Sequence, residues 1–241
     1  MPSASVRAHA AVPFMNPLSE AVVDGAIAAL PLAPGAKVVE TGCGAAELLL
    51  CILEAHPEAT GTGVDPDADS LAVAHAAAAA RVPGREPELI AAPAAEAGLA
   101  PGSFDLVVNV AASHAHGGFP AALDELAALA RPDGGLVLLG EGFWMREPSP
   151  AFLDALGGAT PDELPLGLDA LVAAARTAGL EPLQTAQATE PDFAAYEEGL
   201  AGEAERYDDE DARAYAQAIR ARRALPGGAT TFGFALLTLR R

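Results

Sequence analysis

One stretch, Lys37-Val-Val-Glu-Thr-Gly-Cys-Gly-Ala-Ala-Glu47, constrains the fold of this chain more than any other. A short apolar run, Val38 and Val39, ends in an acid and a glycine turn, and apolar residues at helical density follow from Leu48 to Leu53. That order predicts strand, tight turn, helix. Gly42 and Gly44 have no Cβ, so the backbone can turn sharply and a ligand can lie against it. The N–H groups of the helix start near Ala45 would face that ligand. A turn of this kind, at the carboxyl end of a strand, is where open α/β sheets bind cofactors.

The residues around the turn narrow the choice of ligand. The dinucleotide fingerprint is G-x-G-x-x-G/A, and here Glu47 occupies the third glycine position, where close helix–sheet packing suits it poorly. No Lys or Arg occurs from Val38 to Ala80. Instead Glu40 precedes the turn, and Asp65 ends the next predicted strand, 21 residues after Gly44 and close to the spacing at which such an acid recurs. Asp67 is better placed to cap the helix 68–81, which leaves the Asp65 carboxylate for a pair of ribose hydroxyls. Acid, glycine turn and second acid suit a ligand with an amino group, a ribose diol and a positive sulfonium, which describes S-adenosylmethionine. Backbone N–H groups bind phosphate unaided, so a nucleotide stays open as the alternative.

The run Val38-Val-Glu-Thr-Gly-Cys-Gly44 resembles the first motif of class I S-adenosylmethionine-dependent methyltransferases. Gly63-Val-Asp65-Pro-Asp resembles their second motif, Ser103-Phe-Asp105-Leu-Val-Val their fourth strand, and Ala130-Arg-Pro-Asp-Gly134-Gly-Leu-Val-Leu-Leu the turn and fifth strand. The four stand in the family's order and spacing across residues 35–142. The flanks Asn16-Pro-Leu-Ser-Glu20, Ser113-His-Ala-His-Gly-Gly118 and Gly140-Glu-Gly-Phe-Trp144 resemble a bacterial subgroup of that family. The resemblance implies a Rossmann-like α/β fold: a seven-stranded, mostly parallel sheet in the order 3-2-1-4-5-7-6, with a helical insertion between strands six and seven. It implies S-adenosylmethionine as cofactor, contacted by Glu40, Gly42, Cys43, Gly44, Asp65, Pro66, Ala94, Ala95, Asn109 and Val110. In the family a carboxylate follows the third strand and holds the adenine amino group. Here that place falls near Pro93, so adenine is left to backbone groups, to apolar contact or to Glu96.

Composition bounds the rest. The chain has 241 residues, enough for one large domain with a core. It is 51% hydrophobic, yet no apolar run reaches the roughly 18 residues of a membrane span, and no signal peptide is evident. A net charge of −19 repels polyanions and argues against nucleic acid as substrate. Cys43 and Cys51 are two helical turns apart, too far for a disulfide, which points to a reduced, cytoplasmic setting.

Taken in order, residues 1–12 read as a loose Ala-rich arm, and 18–30 as a helix stopped by Pro31 and Pro34-Gly35. Strands are predicted at 36–41, 60–64, 88–91, 104–110, 136–140, 180–188 and 230–239. Helices are predicted at 45–55, 68–81, 120–130, 151–156 and 166–178, and in the acidic stretch 190–226. The domain reading is a single methyltransferase domain, 1–241. Residues 1–34 are its arm and lid helix, 35–142 the cofactor-binding core and 190–226 a helical cap.

The catalytic edge is assigned to the end of the fourth strand. His114 and His116 are candidate general bases, since imidazole titrates near neutrality. Glu141, at the end of the fifth strand, is a candidate third group. No Asn/Asp-Pro-Pro-Tyr/Phe sequence occurs, which disfavours methylation of nucleic-acid bases. Phe14, Asn16, Trp144 and Tyr196 are candidate substrate contacts, each weighed against plain packing. His-x-His alone does not make a metal site. The expected function is methyl transfer from S-adenosylmethionine to a small molecule, in secondary metabolism as a guess, with no nucleic-acid or membrane partner and a homodimer left open. The rivals are a relative that binds the cofactor without methylating and an NAD(P)-dependent oxidoreductase.

Overall fold

A computed structural model describes residues 4–241. Seven strands form one sheet in the order β3-β2-β1-β4-β5-β7-β6. The strands are β1 (Lys37–Thr41), β2 (Thr60–Asp65), β3 (Glu88–Ala91), β4 (Leu106–Val110), β5 (Leu136–Trp144), β6 (Glu181–Gln187) and β7 (Phe232–Arg240). β1 pairs in parallel with β2 and β4, β2 with β3, and β4 with β5. Among the described residues nine α-helices accompany them: α1 (Ala4–Ala8), α2 (Glu20–Ala28), α3 (Glu47–Ala55), α4 (Ala68–Arg81), α5 (Phe119–Leu129), α6 (Pro150–Ala155), α7 (Leu168–Thr177), α8 (Glu190–Ala204) and α9 (Glu210–Ala224).

The central strands read as the sequence requires. After Lys37, every residue of β1 is buried, as a parallel strand covered on both faces must be. On α5, Phe119, Ala122, Leu123, Leu126 and Ala127 are buried, the one-faced spacing of a helix against a sheet. α4 starts where expected, with the Asp67 carboxylate accepting from Asp69 N at 3.1 Å. Asp105 is structural, its two oxygens held by Lys37 N and by Arg131. Both cysteines are free thiols.

The structure departs from the sequence reading at the end of β5 and in the N-terminal arm, and it gives the helices expected in the acidic stretch their bounds. β5 runs four residues further, to Trp144, because Glu141 to Trp144 are buried without interruption. The acidic stretch holds two full helices, each started by a carboxylate cap, Asp192 with Thr189 for α8 and Asp209 for α9. The N-terminal arm, expected to be loose, is helical from Ala4 to Ala8 and turns in 3₁₀ form from His9 to Ala11. Ala8 is fully buried against Leu200, Ala201, Ala204 and Ala212. Arg7 pairs with Asp209 at 2.8 Å and lies over the Tyr207 ring. Small side chains hide the arm's apolar face from a sequence reading; packing supplies its helicity.

The chain divides into two compact units. One comprises Ala21–Glu141, Val172–Ala186 and Leu236–Arg241; the other comprises the chain up to Glu20 together with Gly142–Leu171 and Gln187–Ala235. Among the described residues no helix is long and apolar enough to cross a membrane.

Candidate functional site

The first unit gathers the carboxyl ends of β1, β2 and β4 around the glycine turn. Gly42 has φ +69°, and a Cβ there would lie 2.5 Å from the Ala112 Cβ, so glycine is required both for the turn and for the approach of the loop after β4. The two left-handed residues that are not glycine, Ala46 (φ 58°) and Ala111 (φ 57°), follow the turn and end β4. Strain of this kind collects where a site fixes its backbone.

Three amides of the turn are bonded inside the protein. Gly42 N and Cys43 N donate to Val64 O at 2.8 and 3.1 Å, and Gly44 N donates to the Asp65 carboxylate at 2.8 Å. The other Asp65 oxygen accepts from Asp67 N at 2.8 Å. Asp65 therefore clips the turn to the end of β2 while both oxygens keep lone pairs for further donors. Glu40, buried, accepts from Leu49 N at 3.1 Å and so satisfies an early amide of α3, which has no side-chain cap at Ala46. Burial pushes the Glu40 carboxyl up to about 8, the Leu49 bond opposing and the nearby Asp65 and Glu47 adding to the rise. Arg81 is clamped between Glu47 at 2.7 Å and Glu54 at 2.6 Å. Burial likewise raises the Cys43 thiol, which excludes a thiolate role.

A polar chain runs behind the turn. Asn109, wholly buried, donates from Nδ2 to Thr41 O and Thr41 Oγ1, both at 3.1 Å, and its Oδ1 has no partner among the described residues. Thr41 Oγ1 lies 3.0 Å from His116 Nε2, and His116 Nδ1 lies 2.5 Å from Glu125 Oε2. A carboxylate only accepts, so a neutral His116 carries its proton on Nδ1 and takes the Thr41 hydroxyl proton at Nε2. His116, read from sequence as a candidate base, thus has both ring nitrogens occupied and a side chain only 1% exposed. Its place is to tie the helix α5 to the ends of β1 and β4. His114, in the same 3₁₀ turn Ser113–His116, is exposed. Glu141 is buried near the end of β5. Of the remaining candidates, Val110 and Ala94 are half-buried, and Pro66 and Ala95 are exposed. Ala94 and Ala95 open the 3₁₀ turn Ala94–Glu96 after β3, which packs beside the turn bearing the histidines.

The second unit holds the other candidates. Phe14, Asn16 and Tyr196 line one cavity of about 240 Å³. Trp144 does not share it. Its indole N–H donates to Pro161 O at 2.8 Å, and its ring packs edge-on against Phe152 and Phe232. The packing reading weighed for Trp144 is the one the geometry gives. Sequence reasoning missed Thr41, which lies inside the first motif without a role assigned to it, and Glu125, which falls in no motif. It also missed His9, whose Nε2 meets the Tyr196 hydroxyl at 2.8 Å.

These observations coincide with what comparison finds. Residues 38–134 match the family described as Methyltransferase domain. YjhP of E. coli superposes with a TM-score of 0.85 at 24% identity, over 99% of each chain. A SAM-dependent methyltransferase from Geobacter sulfurreducens, crystallised with S-adenosyl-L-homocysteine, gives 0.85 at 22% identity over 99% of this chain and 98% of that one. One from Thiobacillus denitrificans, also with S-adenosyl-L-homocysteine, gives 0.81 at 25% over the same shares. No curated protein matches the sequence. Sheet order, glycine turn and paired acids thus accompany a match to a methyltransferase domain over residues 38–134, in a chain whose fold is similar to that of SAM-dependent methyltransferases.

Proposed function

We propose that the protein transfers a methyl group from S-adenosylmethionine to a small-molecule acceptor. The observation that carries this reading is the spending of the turn's amides. A pyrophosphate needs free N–H groups, and those of Gly42, Cys43 and Gly44 are bonded to Val64 and Asp65. What the turn offers instead is acceptors: the Asp65 lone pairs for ribose hydroxyls, and the buried Glu40 and Asn109 Oδ1 for an ammonium. A cationic ligand would compensate a carboxyl that burial and two acidic neighbours hold protonated to about 8. NAD(P) fits this donor-poor, acid-rich turn badly.

When bound, the cofactor supplies a methyl carbon whose bond to sulfur breaks, with the electron pair, as the bond to the acceptor forms. The protein's share is to orient, to exclude water and to take any proton the acceptor loses. Alignment alone can supply up to about 7–11 kcal/mol. Glu40 and Asp65 orient the cofactor in this reading; Cys43, Pro66, Ala94, Ala95 and Val110 add backbone and apolar contact. Exposed His114 is the group we assign as proton acceptor, with Glu141 contributing charge. The loop after β3 favours one rival, since Pro93 stands where a carboxylate would hold adenine. That rival binds cofactor without turnover.

Calorimetric titration with S-adenosylmethionine and S-adenosylhomocysteine, with NADH as control, tests the reading. Micromolar binding of the first two and none of NADH supports it; the reverse overturns it. Turnover over an acceptor panel then separates the enzyme from the silent relative. His114→Ala is expected to lower that turnover with cofactor affinity intact, and wild-type rates across the pH range would remove the base.

A further inference from the structure

The cavity of the second unit is built from two separate parts of the sequence, residues 11–20 and the first turns of α8. Val12, Phe14 and Leu18 give it apolar walls. Its volume of about 240 Å³ exceeds the roughly 150 Å³ that holds one benzene ring, so it admits a ring and a short substituent. The polar lining is one-sided: Glu20 and Asp192 belong to it, and no Lys, Arg or His does.

The hydrogen bonds at its wall carry the same bias. His9 Nδ1 lies 2.7 Å from Ser5 O, a group that only accepts, so the His9 proton sits on Nδ1. His9 Nε2 then accepts from the Tyr196 hydroxyl at 2.8 Å. Burial lowers the His9 pKa, the Ser5 bond opposing, and so keeps the ring neutral in this tautomer. Burial also raises the Tyr196 phenol, which stays protonated. The Tyr196 proton is therefore committed to His9, and the phenol oxygen can only accept from a ligand. Asp192 is partly engaged, with Thr189 N and Oγ1 on its Oδ2 at 2.7 and 2.6 Å. Glu20 is exposed at the start of α2 and carries its charge to the lining.

We infer that this cavity binds a small ring-bearing amine: a cationic or donor-rich head against Tyr196, Glu20 and Asp192, and a single ring among Val12, Phe14 and Leu18. A carboxylate on the same ring meets two like charges and a phenol oxygen with no proton to give, and is rejected. The binding claim stands on the cavity alone. Identifying the amine as the methyl acceptor rests on the proposed function.

The test uses the full chain and three one-ring probes differing only in the head group: phenethylamine, 2-phenylethanol and phenylacetate. Ligand-observed NMR titration is expected to rank the amine first, the alcohol at least about fivefold weaker and the acid undetectable. Ala195→Phe places a ring at an exposed position of the lining and is expected to abolish amine binding. Tyr196→Phe and Glu20→Gln are each expected to weaken the amine more than the alcohol. Titration with S-adenosylhomocysteine accompanies every variant. Unchanged affinity there, together with a wild-type unfolding midpoint followed by far-UV circular dichroism, shows that both units are folded, so that lost amine binding reads on the cavity. Equal or tighter binding of phenylacetate, or full amine binding by Ala195→Phe, overturns the inference. Amine binding without any S-adenosylhomocysteine binding would instead overturn the proposed function and leave this site standing.

Discussion

The glycine-turn cleft and the α8–α9 helical pair handle acidic residues in opposite ways. In the helical pair, acids meet arginines across adjacent helices. Glu197 lies 2.9 Å from Arg222 and 2.8 Å from Arg223, and Arg220 pairs with both Glu198 and Glu205. In the cleft, Glu40 and Asp65 receive only backbone N–H groups, and the nearby Arg81 is occupied by Glu47 and Glu54. Acids with arginine partners have their charge compensated and serve packing and solubility. Acids held by amides can receive a cationic ligand: burial raises the Glu40 carboxyl to about 8, and a cation beside it would favour the ionised form. The net charge of −19 thus contains two kinds of carboxylate, and only the second kind points to chemistry.

Substitutions can break or sharpen this contrast. The largest effect belongs to neither set of acids. Trp144→Ala removes the centre of the aromatic cluster with Phe152 and Phe232 and is expected to cost about 3–5 kcal/mol of stability. Denaturant unfolding reads this, and a cost below about 1 kcal/mol would return Trp144 to the list of substrate contacts. Next, Asp65→Ala removes the clip on Gly44 together with the acceptor proposed for the ribose. Cofactor affinity is expected to fall by roughly 1.5–3 kcal/mol in a calorimetric titration, and unchanged affinity would strike Asp65 from the site.

Glu40 carries a pH signature. Its carboxyl sits at about 8 in the fold and at 4.5 as a free group. Between these values the folded chain holds a proton that the unfolded chain has lost. Its contribution to stability is therefore fullest below 4.5 and declines as pH rises toward 8. A cationic ligand favours the ionised form, so cofactor affinity is expected to climb with pH over the same window. In Glu40→Gln both slopes lose this component; parallel slopes in the two proteins would show that Glu40 does not titrate against the ligand. The smallest effect is expected at Arg223→Ala. It breaks the exposed pair with Glu190 and one of the two arginine pairs of the half-buried Glu197, which keeps Arg222, and should change stability by about 1 kcal/mol, with cofactor binding untouched.

Local rules carried much of this protein. Strand, turn and helix at Lys37–Ala55 follow from composition within a dozen neighbours, as does the Asp67 cap of α4. The sheet order was implied by the family resemblance that four motifs carry, and the structure has that order. The arm escaped because α1, five residues long, has no stability without Leu200, Ala201 and Ala212 to cover Ala8.

The sequence by itself determined that an acid-flanked glycine turn would sit at a strand end, because strand, turn and helix propensities act between near neighbours. Tertiary structure alone decided which nitrogens and oxygens are left to act there. Only folding brings Val64 to the amides of Gly42 and Cys43, Glu125 and Thr41 to the two nitrogens of His116, and Tyr196 to Phe14 and His9. Hydrogen-bond saturation here depends on contacts across 9 to 187 residues of chain, and no local pattern encodes it.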